Sequence, residues 1–267
     1  MMSSEKSPPA GKGRARVIAI VSVKGGVGKT TVASNLGVSL SRTYGRKTLL
    51  VDCDFDLPSV GFHLNMLDPD ITLHDVLDGR FPMNEAVHVH ADSGLDVILG
   101  SLSGDSIVSG GMNDLIEQLS GGYDWIIIDT NPALDQNLRN VIKLSDEALI
   151  ISSPDFPSIS GSLKAIKAVE ECGIKVRGVV LNKVTKKSYE LEVGEIEETL
   201  GHPVISIIPE DSKIQEALSQ RKPVVLYAPN TPSGKELKRL AGTLAEGIEP
   251  TVSRKGVSSL IGRLFGR

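Results

Sequence analysis

The sequence predicts an α/β fold: a doubly wound, mostly parallel sheet with helices on both faces. Three observations predict it. Short, continuously apolar, β-branched runs recur along the chain; helix-like stretches alternate with them; and turn residues bound both. A chain of 267 residues can bury about 70–75% of the surface its unfolded form exposes, enough for one large core. The strand runs, in order, are "RVIAIVS" (16–22), "KTLLVDCD" (47–54), "LDVILG" (95–100), "DWIIIDT" (124–130), "EALIISS" (147–153), "VRGVVLNK" (176–183) and "PVISIIP" (203–209). Between them, 30–43, 111–120, 157–172, 188–200, 211–220 and 233–247 carry helical spacing or cap residues. No internal repeat is present. Ligands of such sheets sit at the carboxyl ends of the strands.

The flanks differ from this body. Residues 1–15, "MMSSEKSPPAGKGRA", are nearly without apolar side chains and read as a disordered lead-in. The folded domain is expected over 16–247, a polar Pro/Gly-containing linker over 248–256, and an amphipathic helix over 257–267. Charge is uneven too. Residues 1–16 carry +3 and residues 254–267 carry +4, so a chain of net charge -4 has a body of -11. An acidic body argues against broad contact with a nucleic-acid backbone, which is gripped by clustered Lys and Arg. Cys53 and Cys172 lie far apart and neither belongs to a CxxC, which argues against a zinc or iron–sulfur site built from this chain alone. No apolar run approaches the roughly 20 residues of a membrane span, and the start lacks a signal-peptide core. A cytoplasmic location is expected.

The chemistry concentrates in "VKGGVGKTT", which leaves the first strand and opens a helix. Gly25, Gly26 and Gly28, with Val27 between them, let backbone N–H groups turn inward around phosphate oxygens, and the helix N-terminus adds positive potential. Lys29 is placed to reach the β- and γ-phosphates of a nucleotide, Thr30 to offer its hydroxyl to Mg²⁺, and Thr31 to reach the α-phosphate. The strict pattern GxxxxGK[ST] fails, because Val23 stands where its first Gly belongs, and Lys24 adds a second lysine. "WIIIDT" is an apolar strand ending in Asp129, suited to hold hydrated Mg²⁺ through water. Asp52 and Asp54 end the second strand run, and spacing by two on an extended segment points them the same way. Asn182 closes another strand run, where its amide offers an adenine edge both donor and acceptor.

"KGGVGKTT" resembles the deviant phosphate loop of the MinD/ParA ATPases, and the resemblance runs from about Arg16 to Gly247. It implies a slow, Mg²⁺-dependent, partner-stimulated ATP hydrolase that works as an ATP-dependent homodimer. Lys24 would reach in trans to the partner's ATP, as an arginine finger does elsewhere, an effect worth about 10³–10⁵ in rate. Asp52 would support the Mg²⁺ shell and Asp54 orient the attacking water. "IPED" resembles the family's adenine loop, with backbone groups of Pro209, Glu210 and Asp211 against the ring. "ITLHDVLDG" (71–79) and "IPEDSKIQEAL" (208–218) look most like the MinD branch, whose members position division or other proteins on membranes. Two departures stand out: Asn131 is inserted before Pro132, and Pro58-Ser59 replaces Arg-Asn. The alternative is a ParA-like positioning ATPase on DNA or a protein scaffold.

The C-terminal "VSSLIGRLFGR" has a place in both readings, as a membrane helix in the first and as a partner-docking helix in the alternative. Val257, Leu260, Ile261, Leu264 and Phe265 fall on one stripe of a helix, with Arg263 and Arg267 near its polar face. That pattern suits an interfacial helix on anionic lipid and is similar to the MinD targeting helix. The expected partners are thus a second copy, an anionic membrane surface and an unidentified activator or cargo protein.

Overall fold

The computed structural model describes residues 13–102 and 111–248. The predicted membrane helix, with Val257, Leu260, Ile261, Arg263, Leu264 and Phe265, lies outside them, as do residues 1–12. Ala15 is already part of the body: it is buried, and its amide donates to the Ser120 carbonyl, so the lead-in ends earlier than its composition suggests.

The seven expected strands form as β1 (Arg16–Val21), β2 (Thr48–Cys53), β4 (Leu95–Ile98), β5 (Trp125–Thr130), β6 (Glu147–Ser152), β7 (Lys175–Val184) and β8 (Val204–Pro209). An eighth, β3 (His88–His90), pairs antiparallel with β4 at one edge; all other pairings are parallel. The order is β3-β4-β2-β5-β1-β6-β7-β8. In β1, Ile18 and Ile20 face one core while Ala19 and Val21 face another. That is why these runs are apolar throughout rather than alternating.

One face is covered by α1 (Lys29–Val38), through Val32, Ala33 and Leu36, and by α10 (Pro232–Ala245), through Leu237, Leu240, Ala241 and Leu244. The short helices α2 (Val60–Leu64), α8 (Ser212–Ser219) and α9 (Val224–Tyr227) contribute to the same core. On the other face lie α3 (Leu73–Leu77), α4 (Met112–Ser120), α5 (Gln136–Lys143), α6 (Phe156–Glu171) and α7 (Val193–Leu200). Caps fix the ends: Asp155 and Thr231 accept from the first-turn amides of α6 and α10, each of which has Pro in that turn. α1 continues through a wider π turn at Ser39–Thr43, completing the expected 30–43 stretch. α7 starts later than its 188–200 pattern. The Glu190 carboxylate takes the amides of Thr185 and Lys186 and the Thr185 hydroxyl, folding that segment into a turn.

Candidate nucleotide site

Topology assembles the site. β1 lies between β5 and β6, and β5 separates it from β2, so three strand ends meet where the loop leaves β1. In that register Asp52 of β2 stands beside Asp129 of β5, and Asp129 beside Ile20 of β1. Gly28 leads into α1 at φ +96°, a conformation that favours glycine, and a Cβ on it would collide with the Asn182 Nδ2. Gly25 and Gly26 face open space instead, leaving room for phosphate oxygens.

A cleft of about 730 Å³ opens here, lined by Gly25, Gly26, Gly28, Lys29, Thr30, Thr31, Asp54 and Asn182, and by Pro209, Glu210 and Asp211 from the end of β8. It is of nucleotide size. Lys29 is buried, and burial lowers its pKa while Asp129 and Asp54 pull the other way. The Thr30 hydroxyl donates to Asp129 Oδ2 at 2.6 Å. Asp129 Oδ1 is buried and has no hydrogen-bond partner among the described residues. A buried carboxylate oxygen left over beside a threonine hydroxyl is the donor set that hydrated Mg²⁺ satisfies.

Not every expected residue sits in the cleft. Asp52 is buried behind it, and its carboxylate accepts from the amides of Asp54, Ser59 and Val60. It clamps the loop after β2. That strand ends at Cys53, so Asp52 and Asp54 do not share one extended segment: the chain turns, and only Asp54 lines the cleft. Burial pushes both Asp52 and Asp129 well above the carboxylate range; the Asp129 charge raises Asp52 further and Asp54 raises Asp129, so this acidic group favours a proton or a cation. Val27 is buried, with its carbonyl accepting from Asn182 Nδ2 at 2.7 Å. The amide expected to offer adenine a donor and an acceptor thus spends one of its protons on holding the phosphate loop. The Asp211 carboxylate is likewise engaged, capping α8 at Lys213 N and accepting from Ser233.

Lys24 does not line the cleft. Its Nζ lies 3.0 Å from Asp155 Oδ1 and 2.7 Å from Ser158 Oγ, at the start of α6 in the same chain. Asn131 is buried, and the neighbouring Pro132 reaches the cleft. Three contacts were not legible beforehand. Ser59 Oγ is 2.9 Å from Thr30 Oγ1; His63 Nε2 is 3.2 Å from Thr31 Oγ1; and Lys183 Nζ donates to the Gly26 carbonyl at 2.7 Å. Only Lys183 had a signal, its place directly after Asn182 at a strand end.

The family model for the CobQ/CobB/MinD/ParA nucleotide binding domain matches residues 18–224. The chain belongs to this family. Within it the likeness is to MinD. An uncharacterised ATP-binding protein of Methanocaldococcus jannaschii is 30% identical over 94% of this chain and 97% of its own. The septum site-determining protein MinD of Pyrococcus horikoshii, solved with Mg-ADP, superposes at TM-score 0.82 with 28% identity, over 89% of this chain and all of that one. MinD in a MinC:MinD cell division protein complex of Aquifex aeolicus gives 0.81 and 28%, over 91% and 100%. The Pyrococcus horikoshii MinD holds Mg-ADP, and the family model describes a nucleotide-binding domain. Among the described residues, no helix is long and apolar enough to cross a membrane.

Proposed function

We propose that this chain is an ATP-driven membrane switch that positions division or other proteins. ATP closes a homodimer, the dimer holds an anionic membrane through residues 257–267, and hydrolysis to ADP and phosphate releases it. Lys29, Thr30 and Thr31 would hold the phosphates in cis. Thr30 and Asp129, with Asp52 behind, would hold hydrated Mg²⁺, which supplies charge neutralisation at the phosphates. Asp54 would orient the attacking water, whose oxygen bonds the γ-phosphorus as the bond to the ADP oxygen breaks. The acidic body speaks against a nucleic-acid partner. The MinC:MinD relative supports a further protein as activator or cargo.

The observation that carries this reading is the position of Lys24. Lys29 lines the cleft, while Lys24 stands outside its lining with its charge held by Asp155. Lys24 does not serve the nucleotide of its own chain, and exchanging Asp155 for a second copy's nucleotide would bring it into the reaction. Lys24→Ala should bind ATP within a few-fold of the wild type, yet lose at least about 100-fold in steady-state hydrolysis. It should also sediment as a monomer with ATP. A variant that dimerises and hydrolyses normally would remove Lys24 from the reaction.

A further inference from the structure

His63 is a contact to the phosphate loop that the reaction above does not use. It stands on α2, half-buried in the wall of the same cleft as Lys29 and Thr31. Its Nδ1 is 3.0 Å from the Ser59 carbonyl and its Nε2 is 3.2 Å from the Thr31 hydroxyl. A carbonyl only accepts, so Nδ1 carries the proton of that bond. In the neutral ring Nε2 then offers a lone pair and accepts the single proton of the Thr31 hydroxyl. A nucleotide phosphate oxygen also only accepts. When Thr31 donates to it, the hydroxyl proton turns away from His63, and two lone pairs are left facing each other. One added proton removes that conflict. The imidazolium donates from both nitrogens, to the Ser59 carbonyl and to Thr31 Oγ1.

We propose that His63 is a positioning residue of the nucleotide site, taking up a proton as Thr31 turns its hydroxyl proton to a nucleotide phosphate. The proposal rests on a nucleotide occupying this loop. Burial holds the His63 ring below the ordinary histidine value, against the pull of the Ser59 carbonyl, which favours neutrality at pH 7 without phosphate. The charged groups around it come from every side. Lys29, Lys183, Asp54, Glu210 and Asp211 line the cleft, Asp52 grips the Ser59 amide at 2.9 Å, and Arg221 reaches Asn65, just past α2, at 3.5 Å. Lys29, Lys183 and Arg221 oppose the imidazolium; the four carboxylates and the incoming phosphates favour it. The sign follows. Nucleotide raises the His63 pKa, so affinity is greatest at low pH and falls as pH rises through the bound-state value. Between the free and bound values the fall reaches about tenfold per pH unit.

Calorimetric titration with Mg·ADP, in buffers of different ionisation enthalpy between about pH 6 and 8, counts the protons taken up. The wild type should take up more than either His63→Gln or Thr31→Val. Its Kd should rise at least about threefold more than theirs across that range. The Thr31→Val arm keeps the histidine and decides the matter if His63→Gln does not fold. Equal proton counts and parallel pH profiles in all three proteins overturn the proposal. A wild type that binds no Mg·ADP at all overturns the nucleotide reading and the proposal together.

Discussion

At the scale of single residues, the site divides by what a side chain depends on. Gly28, Lys29, Thr30 and Asp129 were legible in the sequence because a backbone pattern and a strand end fix their place. Ser59, His63 and Lys183 were not, because each meets its partner across at least 29 residues of chain that the sheet brings together. Asp155 belongs with these. Its burial alone would raise its pKa, but hydrogen bonds from Ser153, Lys24 and Ser158 win and bring it to about 2 from 3.8. A depressed folded value means stability present above the unfolded pKa and lost as pH falls through the folded one. With the side chain 41% exposed, solvent screening leaves on the order of 1 kcal/mol. Urea titrations should show wild-type protein losing that increment between about pH 4 and pH 2, and Asp155→Asn not losing it. Equal slopes for the two would detach Asp155 from the Lys24 dock.

Among elements, length decided what could be read. The seven parallel strands carry long apolar runs and were legible; β3 has three residues and α2, α3 and α9 five or fewer, too short to show a period. α5 had a signal in Asp135, which caps it, followed by Leu138, Val141 and Ile142 on one face. The open edge at β8 shows how elements secure one another. Glu236 of α10 accepts from the Ser206 hydroxyl and the Ile207 amide, while Arg239 donates to the Ile205 carbonyl at 2.7 Å. Edge groups satisfied in this way are closed to pairing with another chain. Glu236→Ala should cost about 1–3 kcal/mol in urea unfolding, the penalty for leaving such groups unmade, and should leave the Kd for Mg·ADP unchanged. A stable variant would mean that solvent serves the edge as well as Glu236 does.

For the whole molecule, the question is how a weak membrane contact would become a switch. Anionic lipid would repel the acidic body, and in the proposed switch the C-terminal segment would supply the hold. Its five apolar side chains would contribute about 1 kcal/mol each when half-buried, and its basic residues up to about 1 each. Ordering about ten residues costs roughly 10 kcal/mol, and Gly256, Gly262 and Gly266 make a helix harder to form. In the proposed switch one segment would therefore hold poorly. A dimer would present two, the second binding at high effective concentration and raising avidity by about 10²–10⁴. Membrane attachment would then follow ATP through dimerisation. The direct measurement is co-sedimentation of the full chain with anionic vesicles, with ATP and with ADP, beside a chain lacking residues 257–267. The full chain should pellet with ATP and stay in solution with ADP, and the truncated chain should stay in solution with either while hydrolysing ATP normally without lipid. A full chain that ignores the vesicles with ATP, or a truncated one that still binds them, would contradict the account.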